Sequence, residues 1–322
     1  MIYFKFPFDE KLYSTDENTS KKPVTFHAFN QAENVNFTGN VIEINPFEFE
    51  KSAIERLPKD HTGFGAETKD EYIAKLKKVI EIIKENKLPK VVISRREILK
   101  DFSDINIKQS FKNLCQSYPN AFRYIFIQEE NAWMGAFSEV LGKFDKITHQ
   151  FETMSLAGTL PVSENWSEKE IEEQNPVSSY IRNILQKYTG QNQLEESETY
   201  DHISGNIKHL RTDFKAKINP EDLDKIINEL HPTPAVCGIP KEFCRETINT
   251  YEKFPRELYA GYIKIETDER IQYFVNLRCA KLYQDTVHLF VGGGITSHSD
   301  PEKEWTETEL KSEAVLKNLS FS

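Results

Sequence analysis

Cysteine is scarce. Cys115, Cys237, Cys244 and Cys279 are the four in 322 residues, and none forms a C-x-x-C pair. This predicts reduced, mostly buried thiols in a cytoplasmic protein rather than a disulfide framework. An excess of basic charge is also missing: the net charge is −10. That argues against nucleic acid or an anionic membrane as the partner, since both attract basic surfaces. No apolar run approaches the length of a membrane span. The N-terminus, MIYFKFPFDEK, lacks a basic region followed by a long apolar core, so no secretory signal is read there. The glycines follow neither phosphate-loop nor dinucleotide spacing. No serine–histidine–acid set stands out by spacing, and the histidines form no metal-ligand cluster. Internal repeats, low-complexity segments and an interdomain linker are absent as well.

What is present is a soluble, globular profile, 38% hydrophobic and 29% charged. The first 60 or so residues read as short strands and turns, with a strand over Asn40–Ile44 and a short helix over Glu48–Arg56. Thr68–Asn86 reads as a helix: Thr68 and Glu71 form a capping box, and Ile73, Leu76, Ile80 and Ile83 make one apolar stripe. Lys90–Ile98 and Ala121–Gln128 read as strands, and Asn106–Ser117 as a helix between them. Trp133–Leu141 reads as a strand entering a tight turn, and Phe151–Leu156 as a strand ending at Ala157. A helix over Ser163–Tyr188 is expected to kink or break at Pro176, which has no N–H to donate. A helix runs from Pro220 to Leu230 behind an Asn219 cap, and another spans Lys241–Lys253. Tyr259–Ile265, Ile271–Leu282 and Val287–Val291 read as an antiparallel meander. Strands and helices are interspersed, which favours one large α/β (α+β) unit.

The stretch with most chemical content is FVGGGITSHSDPEKEWTETELK, Phe290–Lys311. Gly292, Gly293 and Gly294 leave backbone N–H groups uncovered, so a carboxylate can approach. Ser299 or Asp300 can cap the following helix. Glu304 and Glu307 share one helix face, and Lys311 lies one turn on. A second E-x-x-E pair is Glu170/Glu173. Paired carboxylates suit Mg²⁺, although acids also favour a helix's first turn, and Ser167-x-x-Glu170 is itself a capping box. Lys90 is either a solvated strand end or a partly desolvated base. Glu139 is either a surface acid or one raised by aromatic neighbours such as Trp133 and Phe137. Arg278, between Leu277 and Cys279, needs an anionic partner if buried. His209 and His231 could be structural.

The joint order of KVVISR, GAFSEVL, LAGT, SEKEIEEQ, HPTPAVCGIP, RELYAG, LRCA and GGGI…EKEWTETELK resembles the chorismate-utilising enzymes, and most closely their isochorismate synthases. The resemblance covers roughly Asp70 to Lys317. It implies a single large domain of two stacked, mainly antiparallel sheets flanked by helices. Residues 1–65 would be a strand-rich part of that unit and residues 66–322 the chorismate-binding catalytic portion. It also implies chorismate as substrate, Mg²⁺ as cofactor and a monomer. Lys90 would be the general base and Glu139 the general acid. Glu173 and Glu304 would be the main metal ligands, with Glu170 and Glu307 in support. Arg278 would grip a carboxylate, aided by Gly158, Thr159, Gly293, Gly294 and Lys311, with His209 and His231 lining the same cavity. Ser138, Gln174 and Tyr262 depart from the family's usual proline, histidine and proline. A lysine at position 90, where anthranilate synthases carry glutamine, and Ala157, where aminodeoxychorismate synthases carry lysine, imply water as nucleophile. Two other outcomes fit the same residues: a salicylate synthase, which goes on to eliminate pyruvate, and a non-catalytic anion- or metal-binding relative.

Overall fold

The computed structural model describes residues 1–321 apart from Ala53, Glu55, Ser103, Gln191, Asn192, Gly205 and Asn206, and leaves out the side chains of Lys169, Glu172, Glu173 and Ser204. The first elements are β1 (Ile2–Lys5), β2 (Leu12–Thr15), β3 (Val24–His27), β4 (Asn34–Phe37), β5 (Val41–Ile44), α1 (Pro46–Lys51) and α2 (Lys69–Asn86). Next come β6 (Lys90–Lys100), α3 (Ile107–Ser117), β7 (Phe122–Gln128), β8 (Asn131–Phe137), β9 (Val140–Asp145), β10 (Gln150–Pro161) and α4 (Glu168–Tyr188). They are followed by β11 (Leu194–Glu196), β12 (Tyr200–Ser204), β13 (Ile207–Lys217), α5 (Leu223–Leu230), β14 (Gly238–Ile239) and α6 (Lys241–Tyr251). The chain closes with β15 (Tyr262–Glu266), β16 (Arg270–Val275), β17 (Cys279–Leu282), β18 (Thr286–Ile295) and α7 (Pro301–Leu316).

These strands make two antiparallel sheets. The first has the order β14-β6-β18-β17-β8-β7-β1-β2-β5, and the second β11-β13-β10-β9-β16-β15-β3-β4, with β12 also on β13. Strand alternation explains the core. Phe122, Tyr124 and Phe126 on β7, with Trp133 and Phe137 on β8, face the interior cluster, while Ile125, Ala132, Met134 and Ala136 face a second cluster that includes Phe111 and Leu114 of α3. Because both faces of the first sheet are covered along β7 and β8, these two strands read as mostly apolar runs. Aromatic rings join the layers: Phe122 lies 4.6 Å from Phe274 of β16, and Phe26 of β3 lies 4.8 Å from Phe126. The N-terminal strands extend both layers, β1 pairing with β7 and β3 with β15.

Several expectations are corrected. The C-terminal strands are not one meander: β15 and β16 pair in the second sheet, β17 and β18 in the first. The chain changes sheet at Asn276–Arg278, as it does at Ser138–Glu139 between β8 and β9. The two crossings run side by side, with Val275 N–H donating to Glu139 O (3.1 Å) and Ala136 N–H to Arg278 O (3.2 Å). The early helix spans Pro46–Lys51, shorter than expected and capped by Asn45. β10 does not stop at Leu156 but continues past an irregularity between Ala157 and Leu160. α4 runs unbroken through Pro176, since Val177, Ile181, Ile184 and Leu185 lock it into the core. The buried stripe of α2 is centred on Tyr72, Leu76, Val79, Ile80 and Ile83 rather than on Ile73.

Candidate active site

The two crossings part the sheets and leave a cavity of about 130 Å³ between them. It opens onto a wider surface groove with which it shares Thr159, Glu170, Arg278, Glu307 and Lys311.

Lys90 opens β6 and lines the cavity, only 5% exposed, so the solvated strand end is not what the fold makes of it. β6 is held there by β14 on one side and by β18 on the other, where Gly293 lies across from Ile93 and Gly294 from Val92. Glu139 lines the same cavity from its crossing segment and is equally buried. Burial pushes its carboxyl up to about 7, against smaller opposing effects from the Thr233 hydroxyl, 3.4 Å away, and the Lys90 charge. The sequence left its exposure open; the structure makes it a buried acid whose protonated form burial favours.

Opposite the glycine strand, Gly158 and Thr159 on β10 meet His209 on β13 and Arg278. His209 Nδ1 lies 2.9 Å from Gly158 O and 3.2 Å from Thr159 Oγ1, and its Nε2 lies 3.3 Å from Arg278 Nη2. A carbonyl can only accept, so Nδ1 carries the hydrogen and Nε2 accepts from the guanidinium. That neutral tautomer agrees with a pKa lowered to about 3 by burial and the Arg278 charge. Arg278 adopts φ 44°, a left-handed conformation rare for a non-glycine residue, and is thereby aimed at the cavity from the sheet crossing.

The acidic residues lie on α4 and α7. Glu170, 6% exposed, faces the cavity, and its Oε2 also accepts from Ser167 N–H (2.9 Å) and Ser167 Oγ (2.5 Å), the capping box read from sequence. Glu304 is 3% exposed, and its Oε1 accepts from Ser299 Oγ at 2.7 Å. A Cβ added to Gly293 would sit 3.0 Å from Glu304 Oε2 and 3.9 Å from Glu307 Oε1, so the missing side chain opens the space these carboxylates face. Glu307 Oε1 pairs with Lys311 Nζ at 2.6 Å, and Lys311 also donates to Gly292 O at 2.9 Å. The side chain of Glu173 lies outside the described residues.

One expectation fails on position. His231 does not reach the cavity lining: it is 1% exposed and packed against Phe29 and Tyr262, with Nε2 3.4 Å from Phe29 O. The His231–Ala235 stretch contributes Thr233 to Glu139 and Ala235 to the wall instead. Thr233 and the wall residues Tyr259 and Phe290 were given no role from the sequence, although they lie within the motifs HPTPAVCGIP, RELYAG and FVGGGI.

Among the described residues no group of three or more His, Cys, Asp or Glu side chains is gathered closely enough to hold a metal. The donors nevertheless fit a hard cation. Glu304 and Glu307 converge on the open face of Gly293, Glu170 faces the same cavity, and carboxylate oxygens are the ligands Mg²⁺ prefers.

The sequence profile of a family described as chorismate binding enzyme matches residues 43–320. The isochorismate synthase MenF of Escherichia coli is 29% identical over 255 residues, 74% of this chain and 57% of that protein. The chloroplastic isochorismate synthase of Catharanthus roseus is 30% identical over 261 residues, 76% of this chain and 45% of that protein. The chain thus spans about half the length of the curated relatives it matches. Among solved structures, the menaquinone-specific isochorismate synthase MenF of Escherichia coli superposes with TM-score 0.82 at 22% identity, covering 99% of this chain and 88% of that one. The DhbC structure from Bacillus anthracis gives TM-score 0.80 at 24% identity, with 98% and 95% covered. These two likenesses share the fold of the paired sheets, and the family match spans most of the chain. The chain belongs to the chorismate-binding enzyme family.

Proposed function

We propose that the chain is an isochorismate synthase, converting chorismate to isochorismate by adding water at C2 and losing the hydroxyl at C4. The observation that carries this reading is the burial of Lys90 and Glu139 in one cavity, with Glu139 held near 7. The reaction needs a proton taken from the attacking water and one given to the departing hydroxyl. Lys90 takes the first as oxygen bonds to C2. The ring double bonds shift, the C4–O bond breaks, and Glu139 protonates the leaving oxygen, which departs as water. Proton return from Lys90 to Glu139 through solvent closes the cycle with no net change in composition. Each transfer is worth about 10²–10⁴-fold in rate.

The remaining residues bind and orient. Arg278, held by neutral His209, presents its guanidinium to a substrate carboxylate. The backbone of Gly292–Gly294, uncovered by side chains, admits a second carboxylate. Glu304 and Glu307, with Glu170 and Glu173, would hold one Mg²⁺, which when bound neutralises a carboxylate of the doubly anionic substrate.

The test is chromatography of the products formed from chorismate, with and without Mg²⁺. Isochorismate alone, formed only with Mg²⁺, is the expected result. Salicylate with pyruvate would make the chain a salicylate synthase, and unchanged chorismate would overturn the reading. Lys90→Gln is expected to fold normally and lose isochorismate formation by about 10²-fold or more.

A further inference from the structure

Ser299 and Asp300 are adjacent, and both are residue types that cap helices. In the structure only Asp300 caps α7: its Oδ1 accepts from Glu302 N–H at 2.9 Å and Lys303 N–H at 3.5 Å. Ser299 does something else. It is 8% exposed, and its Oγ accepts from Thr296 N–H at 3.1 Å while its own N–H donates to Thr296 O at 3.2 Å. Because the Thr296 amide occupies a lone pair, the hydroxyl hydrogen is directed elsewhere, and the geometry gives it to Glu304 Oε1 at 2.7 Å.

Thr296 directly follows Ile295, the last residue of β18, whose preceding residues are the glycine run. A short chain of bonds therefore ties the end of the glycine strand to the Glu304 carboxylate. Fixing Oε1 sets the plane of that carboxylate. The other oxygen, Oε2, then faces the vacant side-chain position of Gly293.

We propose that Ser299 is a positioning residue that pre-sets the Glu304 carboxylate for a divalent cation, leaving helix capping to Asp300. The proposal rests on the Mg²⁺ site inferred above. Partners that orient metal ligands from behind typically change metal affinity by about 10–100-fold when removed.

The experiment is calorimetric titration of the full chain with Mg²⁺ alone, without chorismate, beside thermal melts of the same samples. Ser299→Ala is expected to weaken Mg²⁺ binding by about 10-fold or more while the melting temperature stays close to that of the unaltered chain. Ser299→Thr, which keeps the hydroxyl, is expected to restore the affinity. Asp300→Ala is expected to show the reverse pattern: a lower melting temperature, from the lost cap, with Mg²⁺ affinity within about twofold. If the unaltered chain binds Mg²⁺ and Glu304→Ala abolishes it, yet Ser299→Ala binds as tightly as before, the role of Ser299 is refuted and the metal site stands. If Glu304→Ala leaves binding intact, or the unaltered chain binds none, the metal site is refuted and the role of Ser299 with it.

Discussion

Replacing Glu139 by glutamine should make the protein more stable and much less active, and the size of the first effect follows from its surroundings. Burial raises the carboxyl from an ordinary 4.5 to about 7. The folded state therefore prefers the protonated acid, and the unfolded chain prefers the ionised one. Below pH 4.5 both states are protonated and stability is undiminished. As pH rises from there to about 7 the unfolded chain gains by ionising while the folded chain does not, so stability falls, and above about 7 the deficit levels off. At ~1.4 kcal/mol per tenfold, the full deficit is about 3 kcal/mol. Glutamine has no proton to lose and avoids it. Glu139→Gln should thus exceed the unaltered chain by about 1 kcal/mol at pH 5.5 and by about 3 kcal/mol above pH 7. Urea denaturation across pH 5.5–8.5 reads this directly, and the same samples should have lost about 10²–10⁴-fold in isochorismate formation. A stability difference that does not change with pH, or a less stable variant at pH 8, would refute the buried-acid argument.

Three other substitutions probe separate parts of the structure. A Cβ at Gly261 would lie 2.0 Å from the His27 carbonyl oxygen, so Gly261→Ala must push β15 and β3 apart; a loss of about 3 kcal/mol or more is expected in denaturant melts. Gly293→Ala would place its methyl 3.0 Å from Glu304 Oε2, and should leave the fold intact while weakening Mg²⁺ binding by about 10-fold in calorimetry. Arg278→Lys keeps the charge but loses the planar fork that reaches His209 Nε2; a rise in KM for chorismate of about 10-fold is expected, with a smaller change in kcat.

Local signals located most of the elements. Thr68 and Glu71 do form the capping box that starts α2, Asn106 caps α3, and the β-branched run from Lys90 is β6. What local sequence did not carry is which sheet a strand joins. Alternation tells which residues of β16 and β17 share a face, but Asn276–Arg278 has nothing that separates a sheet crossing from an ordinary turn. The crossing is fixed by distant partners: Asn276 accepts from Tyr124 Oη at 3.0 Å and donates to Leu258 O at 2.9 Å. Site residues behaved likewise. Lys90 and Glu139 were both singled out, yet their burial depends on β18 and on Thr233, far away in the chain. Lys75 went unremarked on a helix that looked simply amphipathic, and it forms a buried ion pair with Glu67 at 2.8 Å.

Glu139 and Arg278 belong to neither sheet. Each occupies the short span by which the chain leaves one layer for the other, and the two spans are bonded together. A slide of one layer over the other by an ångström would shift Glu139 and Arg278 relative to Lys90, which is anchored within a single layer. If the proposed reaction is the one catalysed, its rate would gauge interlayer alignment. Anything that loosens the rings between the layers, such as heating or a truncated Phe122 or Phe274, should extinguish chemistry before either layer loses its hydrogen-bonded ladder.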